Sequence, residues 1–335
     1  MKGLSIIMKA ALIGAGVIGT LHAKVIAGLG IELVAICDVD EKKAESLATL
    51  YAPKAAIYTD YKKMIGEIKV DAVHICTPHV LHAEQVIYAL GCGVNVLCEK
   101  PLCAHPEQLA GVLEAEERSS ATLGVSQQNR YNSSVKFALE YLSKTSKKIK
   151  AAHGSVCWHR DISYYEESPW RGRLSEAGGG SLINQALHTL DLLEVFCGVP
   201  SNVTARADIL NPKKNVEVED TVTAVFSGGA DFTFFSSNNS PSNLPVELSF
   251  KLDSGENMII LPKAVVIDGK NVYEDDIPVS TVGKSYYGGS HGKLFEDYYT
   301  CIAEGKHFPI DGKEASKVMK LIFAVYASKG EKINI

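Results

Sequence analysis

The chain has 335 residues, with 46% hydrophobic and 22% charged side chains, a balance that suits a globular protein with room for two domains. A net charge of −5 argues against a nucleic-acid partner, because such a surface is usually basic. No apolar run is long enough to span a bilayer. Met1–Ile7 lacks the charged start and sustained apolar core of a signal peptide. The eight cysteines show no Cys-x-x-Cys or zinc-ligand spacing and read as reduced thiols of a cytoplasmic protein, with no metal site.

The first predicted strand is the apolar run Ala10-Ala11-Leu12-Ile13, with the residues before Met8 read as an extension of no functional weight. It enters Gly14-Ala15-Gly16-Val17-Ile18-Gly19, and a helix follows over about Val17–Leu29. A second strand, Glu32–Cys37, ends at Asp38, and a helix covers Glu41–Tyr51. Strand 71–76 ends at Thr77-Pro78, helix Ala83–Ala89 stops at Gly91, and strand 94–98 ends at Glu99-Lys100-Pro101. Helix Pro106–Arg118, closed by the charged stretch Glu114–Arg118, and strand Ala121–Val125 complete a strand–helix alternation. That alternation predicts a doubly wound parallel sheet covered on both faces.

The pattern changes near Gln128. A helix around Ser134–Ser143 leads into alternating strands, with Val222, Ala224 and Phe226 on one side of theirs and Phe232, Phe234, Leu248 and Phe250 continuing the pattern. Consecutive strands with Gly, Asn, Pro and Ser turns predict a mostly antiparallel sheet. Two helices, about Lys293–Ala303 and Lys313–Ser328, finish the chain. We therefore divide it into residues 1–128 and 129–335, an α/β chain of two domains.

The glycine turn carries the sharpest chemistry. Gly14 permits a tight turn, Gly16 lets a pyrophosphate approach the backbone, and Gly19 lets the helix pack close to the strand. The helix N-terminus at Val17 and Ile18 offers N–H groups to the phosphates. Asp38 lies at about the twenty-residue distance expected of a carboxylate that bonds an adenosine ribose. It favours NAD, while Lys42 and Lys43 keep NADP open. Ligands of an open parallel sheet bind beyond the strand carboxyl ends, so Gly14–Gly19, Thr77-Pro78 and Glu99-Lys100-Pro101 should line one crevice. Lys100 there reads either as an ammonium that bonds a substrate oxygen and moves a proton or as a solvated loop lysine.

A second segment runs from Glu176 through Gly178-Gly179-Gly180 to Asp191. Ser181 is expected to cap its helix. Ile183, Leu187, Leu190 and Glu194 form one side, whereas Asn184, His188 and Asp191 share a polar face. His188 is a candidate proton acceptor from a substrate hydroxyl, or alternatively a histidine bonded to Asp191 or to backbone. Tyr164, Tyr165, Trp170 and Arg171 would cover a nicotinamide, form a sugar-stacking wall or make an aromatic core patch. Gly288-Gly289-Ser290-His291-Gly292 matches a nucleophile elbow only as letters, since no apolar strand feeds it, and Ser290 is expected to cap a helix. Gly283-Lys284-Ser285 lacks the first glycine of a P-loop.

Taken together and in this order, these motifs resemble the glucose–fructose oxidoreductase / inositol dehydrogenase / rhizopine-catabolism (Gfo/Idh/MocA) family over nearly the whole chain. The resemblance rests on Gly14–Gly19, on Thr77-Pro78 with His82, on Glu99-Lys100-Pro101-Leu102, and on Gly178-Gly179-Gly180 with His188 and Asp191. It implies a Rossmann domain plus an α/β domain with a large open sheet often used for oligomerisation, here in a homodimer or homotetramer. It also implies that Lys100 and His188 converge beside the nicotinamide at the reacting carbon, with a cis Lys100–Pro101 bond. Thr77, Pro78, His82, Glu99, Trp170 and Arg171 join the cofactor side. Selectivity is expected around Tyr131, Trp158, His159, Tyr164 and His291. Many polyol dehydrogenases of the family carry Asp where this chain has Asn184; neutral Asn bonds a hydroxyl but takes no proton. The implied activity is NAD-dependent hydride transfer at a carbinol carbon of a sugar, sugar derivative or cyclitol. Related branches supply two alternatives: glycoside cleavage through transient oxidation, and a non-catalytic dinucleotide-binding regulator.

Overall fold

The computed structural model describes residues 8–275 and 290–335. The Met1–Ile7 extension, the Gly283-Lys284-Ser285 match and the first two glycines of the elbow-like match lie outside them. The chain forms two compact units. One takes the chain to Gln127 together with His291–Ser316; the other takes Gln128–Ser290 and Lys317–Ile335. A single cut after residue 128 therefore does not describe the grouping, because His291–Ser316 returns to the first unit. There the backbone N–H of Val125 donates to the Ile310 carbonyl at 2.9 Å. The Glu116 carboxylate accepts from Gly312 N at 2.8 Å, so the charged stretch that ends its helix is not wholly solvated.

The first unit holds β1 (Lys9–Ile13), α1 (Val17–Gly28), β2 (Glu32–Cys37), α2 (Glu41–Tyr51), β3 (Ala56–Tyr58), α3 (Tyr61–Glu67), β4 (Ala72–Ile75), α4 (His79–Gly91), β5 (Asn95–Glu99), α5 (Pro106–Arg118) and β6 (Leu123–Ser126). The strands form a parallel six-stranded sheet in the order β3-β2-β1-β4-β5-β6. Ala10–Ile13, Ala72–Ile75 and Val96–Glu99 are buried without interruption, as strands covered on both faces must be. The order reverses between β1 and β4, and the carboxyl ends of those strands carry the glycine turn and Thr77-Pro78. A crevice at such a switch point is the expected ligand site of an open α/β sheet.

The second unit is built on a nine-stranded sheet. Its strands are β7 (Ile149–Cys157), β8 (Asn202–Asp208), β9 (Thr221–Ser227), β10 (Asp231–Ser237), β11 (Glu247–Leu252), β12 (Asn257–Ile260), β13 (Ala264–Ile267), β14 (Lys270–Glu274) and β15 (Lys332–Asn334). The order is β14-β13-β12-β11-β7-β10-β9-β8-β15. Neighbours are antiparallel except β7 with β10. Alternation decides which face is covered: Val222, Ala224, Phe226, Phe232, Phe234, Leu248 and Phe250 are buried, whereas Thr223 and Val225 are exposed. Helices α6 (Ser133–Thr145), α7 (Ile162–Glu166), α8 (Leu174–Ala177) and α9 (Leu187–Cys197) belong to this unit. At Gly154 of β7 the absent side chain admits α9; a Cβ there would lie 2.8 Å from Leu193 Cδ1 and 3.0 Å from Thr189 Cγ2.

Candidate functional site

In the first unit the glycine turn divides its labour. Gly14 has φ +97°, and a Cβ on it would lie 2.5 Å from the Cys76 carbonyl oxygen. A Cβ on Gly19 would lie 2.0 Å from the Gly14 carbonyl oxygen. These two glycines let β1, α1 and the end of β4 close up. Gly16 differs: a Cβ there meets nothing within 4 Å, and Val17 beside it is 84% exposed. Open space thus fronts the first N–H groups of α1, of which Val17 and Ile18 are the first residues. This is the arrangement that accepts a phosphate, and it fits a dinucleotide.

Asp38, at the end of β2, accepts from Ala15 N at 2.7 Å and from Asp40 N at 2.9 Å. Each bond uses a different carboxylate oxygen, so each oxygen retains capacity for a ribose hydroxyl. A groove of about 280 Å³ beside the turn is lined by Ala15, Thr20, Lys42, Lys43 and Ser46; it brings the two lysines next to the cradle.

The ends of β4 and β5 are tied by His82. Its Nε2 lies 2.8 Å from the Thr77 carbonyl and its Nδ1 2.7 Å from the Pro101 carbonyl. Burial pulls its pKa down, while the two carbonyls pull it up. The ring donates to both only when doubly protonated. Thr77 Oγ1 donates to Gln85, and Pro78 precedes α4 as its cap residue. Lys100 is half-buried and joined to Pro101 by a cis bond. Glu99 faces the interior. Its carboxylate accepts from His22 Nε2 at 3.0 Å and lies 3.9 Å from His291 Nε2. Burial alone would raise this carboxyl, but the His22 hydrogen bond and the nearby Lys100 charge hold it below the usual carboxylate range. His291, expected among the selectivity residues of the second domain, belongs to the first unit.

In the second unit the segment after the glycines is not one regular α-helix. Ser181–Ala186 forms a π-helical turn, and α9 starts at Leu187. Ser181 is no cap: its hydroxyl pairs with Ser236 at 3.1 Å. Glu219, just before β9, does the capping. Its carboxylate accepts from Gly180 N at 2.6 Å, Leu182 N at 2.9 Å and Tyr326 OH at 3.1 Å. A Cβ on Gly179 would lie 2.1 Å from that tyrosine oxygen, and one on Gly180 would lie 1.9 Å from the Glu219 carbonyl. The glycines are therefore required by Glu219 and Tyr326. Burial pushes the Glu219 carboxyl up to about 7 against the pull of these donors. Sequence reasoning missed Glu219; its only signal is the acid pair Glu219-Asp220 ahead of a strand.

The wide turn places Asn184 in the π segment, with His188 and Asp191 on α9. His188, 3% exposed, has Nε2 3.2 Å from Gln128 Nε2. The amide donates there, so the neutral ring carries its proton on Nδ1. Asp191 instead takes a bidentate pair from Arg130, at 2.8 Å from Nε and 2.6 Å from Nη2. Asn184 is half-buried in the π turn.

The remaining candidates spread over this unit. Tyr131 is buried with Lys136 Nζ 4.4 Å from its ring. Trp158 is buried with the Arg160 guanidinium 5.0 Å away, and His159 is exposed. Tyr164 accepts from Gln185 Nε2 at 2.8 Å and lies under the Arg171 guanidinium at 4.5 Å. Trp170 is half-buried at 5.8 Å from the same guanidinium. Ser290 opens its helix and donates to Asn132 Oδ1.

Residues 8–127 match the family model described as "Oxidoreductase family, NAD-binding Rossmann fold", and residues 147–255 match the "GFO/IDH/MocA C-terminal domain". The chain belongs to the Gfo/Idh/MocA family. Among curated relatives, inositol 2-dehydrogenase of Salmonella paratyphi B is 34% identical over 114 residues, 33% of this chain and 34% of its own length. D-glucoside 3-dehydrogenase of Escherichia coli K12 is 29% identical over 200 residues, 58% of this chain and 55% of its own. The alignments thus span about a third to about half of these relatives. Levoglucosan dehydrogenase, solved with NADH and levoglucosan, superposes with a TM-score of 0.86 over 98% of this chain and 99% of its own, at 22% identity. That likeness supports the Gfo/Idh/MocA fold. Among the described residues no helix is long and apolar enough to cross a membrane.

Proposed function

We propose that this protein is an NAD-dependent dehydrogenase acting on a CH–OH group of a sugar, sugar derivative or cyclitol. The observation that carries this reading is a dinucleotide cradle with open space at Gly16, in a family chain that retains both Lys100 and His188. NAD, when bound, supplies the hydride acceptor or donor. The N–H groups of α1 hold the pyrophosphate, and Asp38 bonds the ribose and disfavours a 2′-phosphate. Thr77 and Pro78 flank the dinucleotide, while His82 secures the strand ends beneath it. Trp170 and Arg171 are assigned to the cofactor side.

Lys100 bonds the reacting oxygen and stabilises its developing charge. His188 takes the hydroxyl proton; a substrate hydroxyl that displaces the Gln128 amide meets a lone pair on Nε2. Asn184 positions a neighbouring hydroxyl, and Tyr131 and Trp158 shape the substrate side. We further propose that the enzyme is a cytoplasmic homo-oligomer. The test is steady-state reduction of NAD and NADP with myo-inositol, glucose, methyl glucosides, xylose and levoglucosan. Turnover on one of these, lost at least about 100-fold in Lys100→Ala and in His188→Ala, supports the reading. Full activity in both variants overturns it, as does glycoside cleavage with no net NADH.

A further inference from the structure

Behind Lys100, wholly within the first unit, four buried groups from three elements and the end of β5 form one hydrogen-bonded file. Tyr299 OH lies 2.8 Å from His74 Nε2, His74 Nδ1 lies 2.9 Å from His22 Nδ1, and His22 Nε2 lies 3.0 Å from Glu99 Oε1. His22, His74 and Tyr299 are fully buried and Glu99 nearly so. Phe295 packs against both imidazoles, with ring centroids at 4.6 and 5.0 Å. Among the described residues, the other ionisable groups near the file include His291 and Lys100 beside Glu99, Cys76 after β4, Cys98 on β5, and Tyr298 and Asp71 towards Tyr299.

Donor counting gives the file a direction. An ionised Glu99 only accepts, so His22 donates to it from Nε2. With His22 neutral, its Nδ1 must accept, so His74 donates from Nδ1. His74 Nε2 then accepts from the Tyr299 hydroxyl. Every hydrogen in the file meets one acceptor. A cationic His22 would instead donate at both ends, reverse His74 and leave the Tyr299 hydrogen outside the file. Burial holds the His74 imidazole far below its ordinary value, which agrees with a neutral ring.

We propose that Tyr299, His74 and His22 act as a one-way hydrogen-bond file that fixes an ionised Glu99, and that Glu99 is thereby a positioning residue for the Lys100 ammonium. The inference rests on the catalytic role of Lys100 proposed above. A neutral His22, backed by a neutral His74, donates to the carboxylate without supplying a cation, so its field acts on the next residue along the chain. In a low-dielectric surrounding such a charge favours the protonated amine.

Two measurements on the NADH-bound protein test this without a substrate. Nitrogen-15 NMR of labelled histidines, assigned with His22→Gln and His74→Gln variants, should show His22 protonated at Nε2 and His74 protonated at Nδ1 at pH 7. Competitive labelling with acetic anhydride across pH, read by mass spectrometry at Lys100, should show its midpoint moved to lower pH by about half a unit or more in Glu99→Gln. His22→Gln, which presents an amide donor and a carbonyl acceptor about as far apart as the ring nitrogens, should keep the wild-type midpoint. Tyr299→Phe should scramble the His74 tautomer, which serves if Glu99→Gln fails to fold. Reversed tautomers, an imidazolium at either position, or an unmoved Lys100 midpoint in Glu99→Gln overturns the proposal. An active Lys100→Ala enzyme would overturn the catalytic reading instead, and leaves the tautomer and labelling results to be judged separately.

Discussion

Gly16→Ala separates the cofactor's needs from the fold's. Gly16 sits at φ −77° as the cap residue of α1, a conformation open to alanine, and its Cβ would touch nothing within 4 Å. Two small stability terms oppose each other. Alanine is a poorer cap than glycine by about 0.5–1 kcal/mol, and it lowers the entropy of the unfolded chain by about 0.4–1 kcal/mol. The melting temperature should therefore move by no more than about 2 °C. The new methyl group occupies the approach of the pyrophosphate, so NADH should bind at least about tenfold more weakly, about 1.4 kcal/mol. Fluorescence titration with NADH and a thermal melt on the same sample measure both quantities. Unchanged affinity would refute the placement of the phosphates, and a collapsed melt would refute the claim that the space at Gly16 is free.

Gly19→Ala should do the reverse. Its Cβ would meet the Gly14 backbone carbonyl at 2.0 Å, so α1 must lift from β1 at about 2–4 kcal/mol, read by urea unfolding. Glu219 should impose a pH slope on stability. Its folded-state carboxyl is raised from 4.5 to about 7, so the folded chain binds the extra proton in that window. Stability contributed by this group is present at low pH and is lost as the pH rises to about 7, by about 3 kcal/mol in full. Glu219→Gln should remove that slope when urea midpoints at pH 5 and 7.5 are compared. At pH 5 it should itself cost about 1–3 kcal/mol, because an amide N–H replaces one of the oxygens that face Gly180 N and Leu182 N. Asp38→Ala should weaken NAD binding about tenfold and narrow the preference over NADP, measured by titration with both cofactors. A preference unchanged from wild type would show that Asp38 serves the turn through Ala15 alone.

Helices Glu41–Tyr51 and Pro106–Arg118 occupy the bounds read from periodicity and caps, because their starts and stops are set within one turn of chain. The parallel sheet, the glycine cradle and the mostly antiparallel second sheet were legible from local pattern, though not the parallel pairing of β7 with β10. Helix α4 was read too short: His79 and His82 at its start are buried, so polarity at those positions did not signal a loop. The polar face of Asn184, His188 and Asp191 assumed an unbroken α-helix. The Glu219 carboxylate, bonded to Gly180 N and Leu182 N across a sequence separation near forty residues, accompanies a π turn instead.

Local spacing alone determined the cradle, the strand ends that carry Thr77, Glu99 and Lys100, and the family. These depend on neighbours in sequence, where a glycine, a proline or an apolar period acts directly on the backbone. The partners of the buried polar groups were decided only by tertiary structure: Arg130 for Asp191, Gln128 for His188, Glu219 for the glycine run, and Tyr299 at the end of the file that reaches Glu99. A buried donor or acceptor must find its complement wherever the chain brings one, and that meeting leaves no period in the sequence.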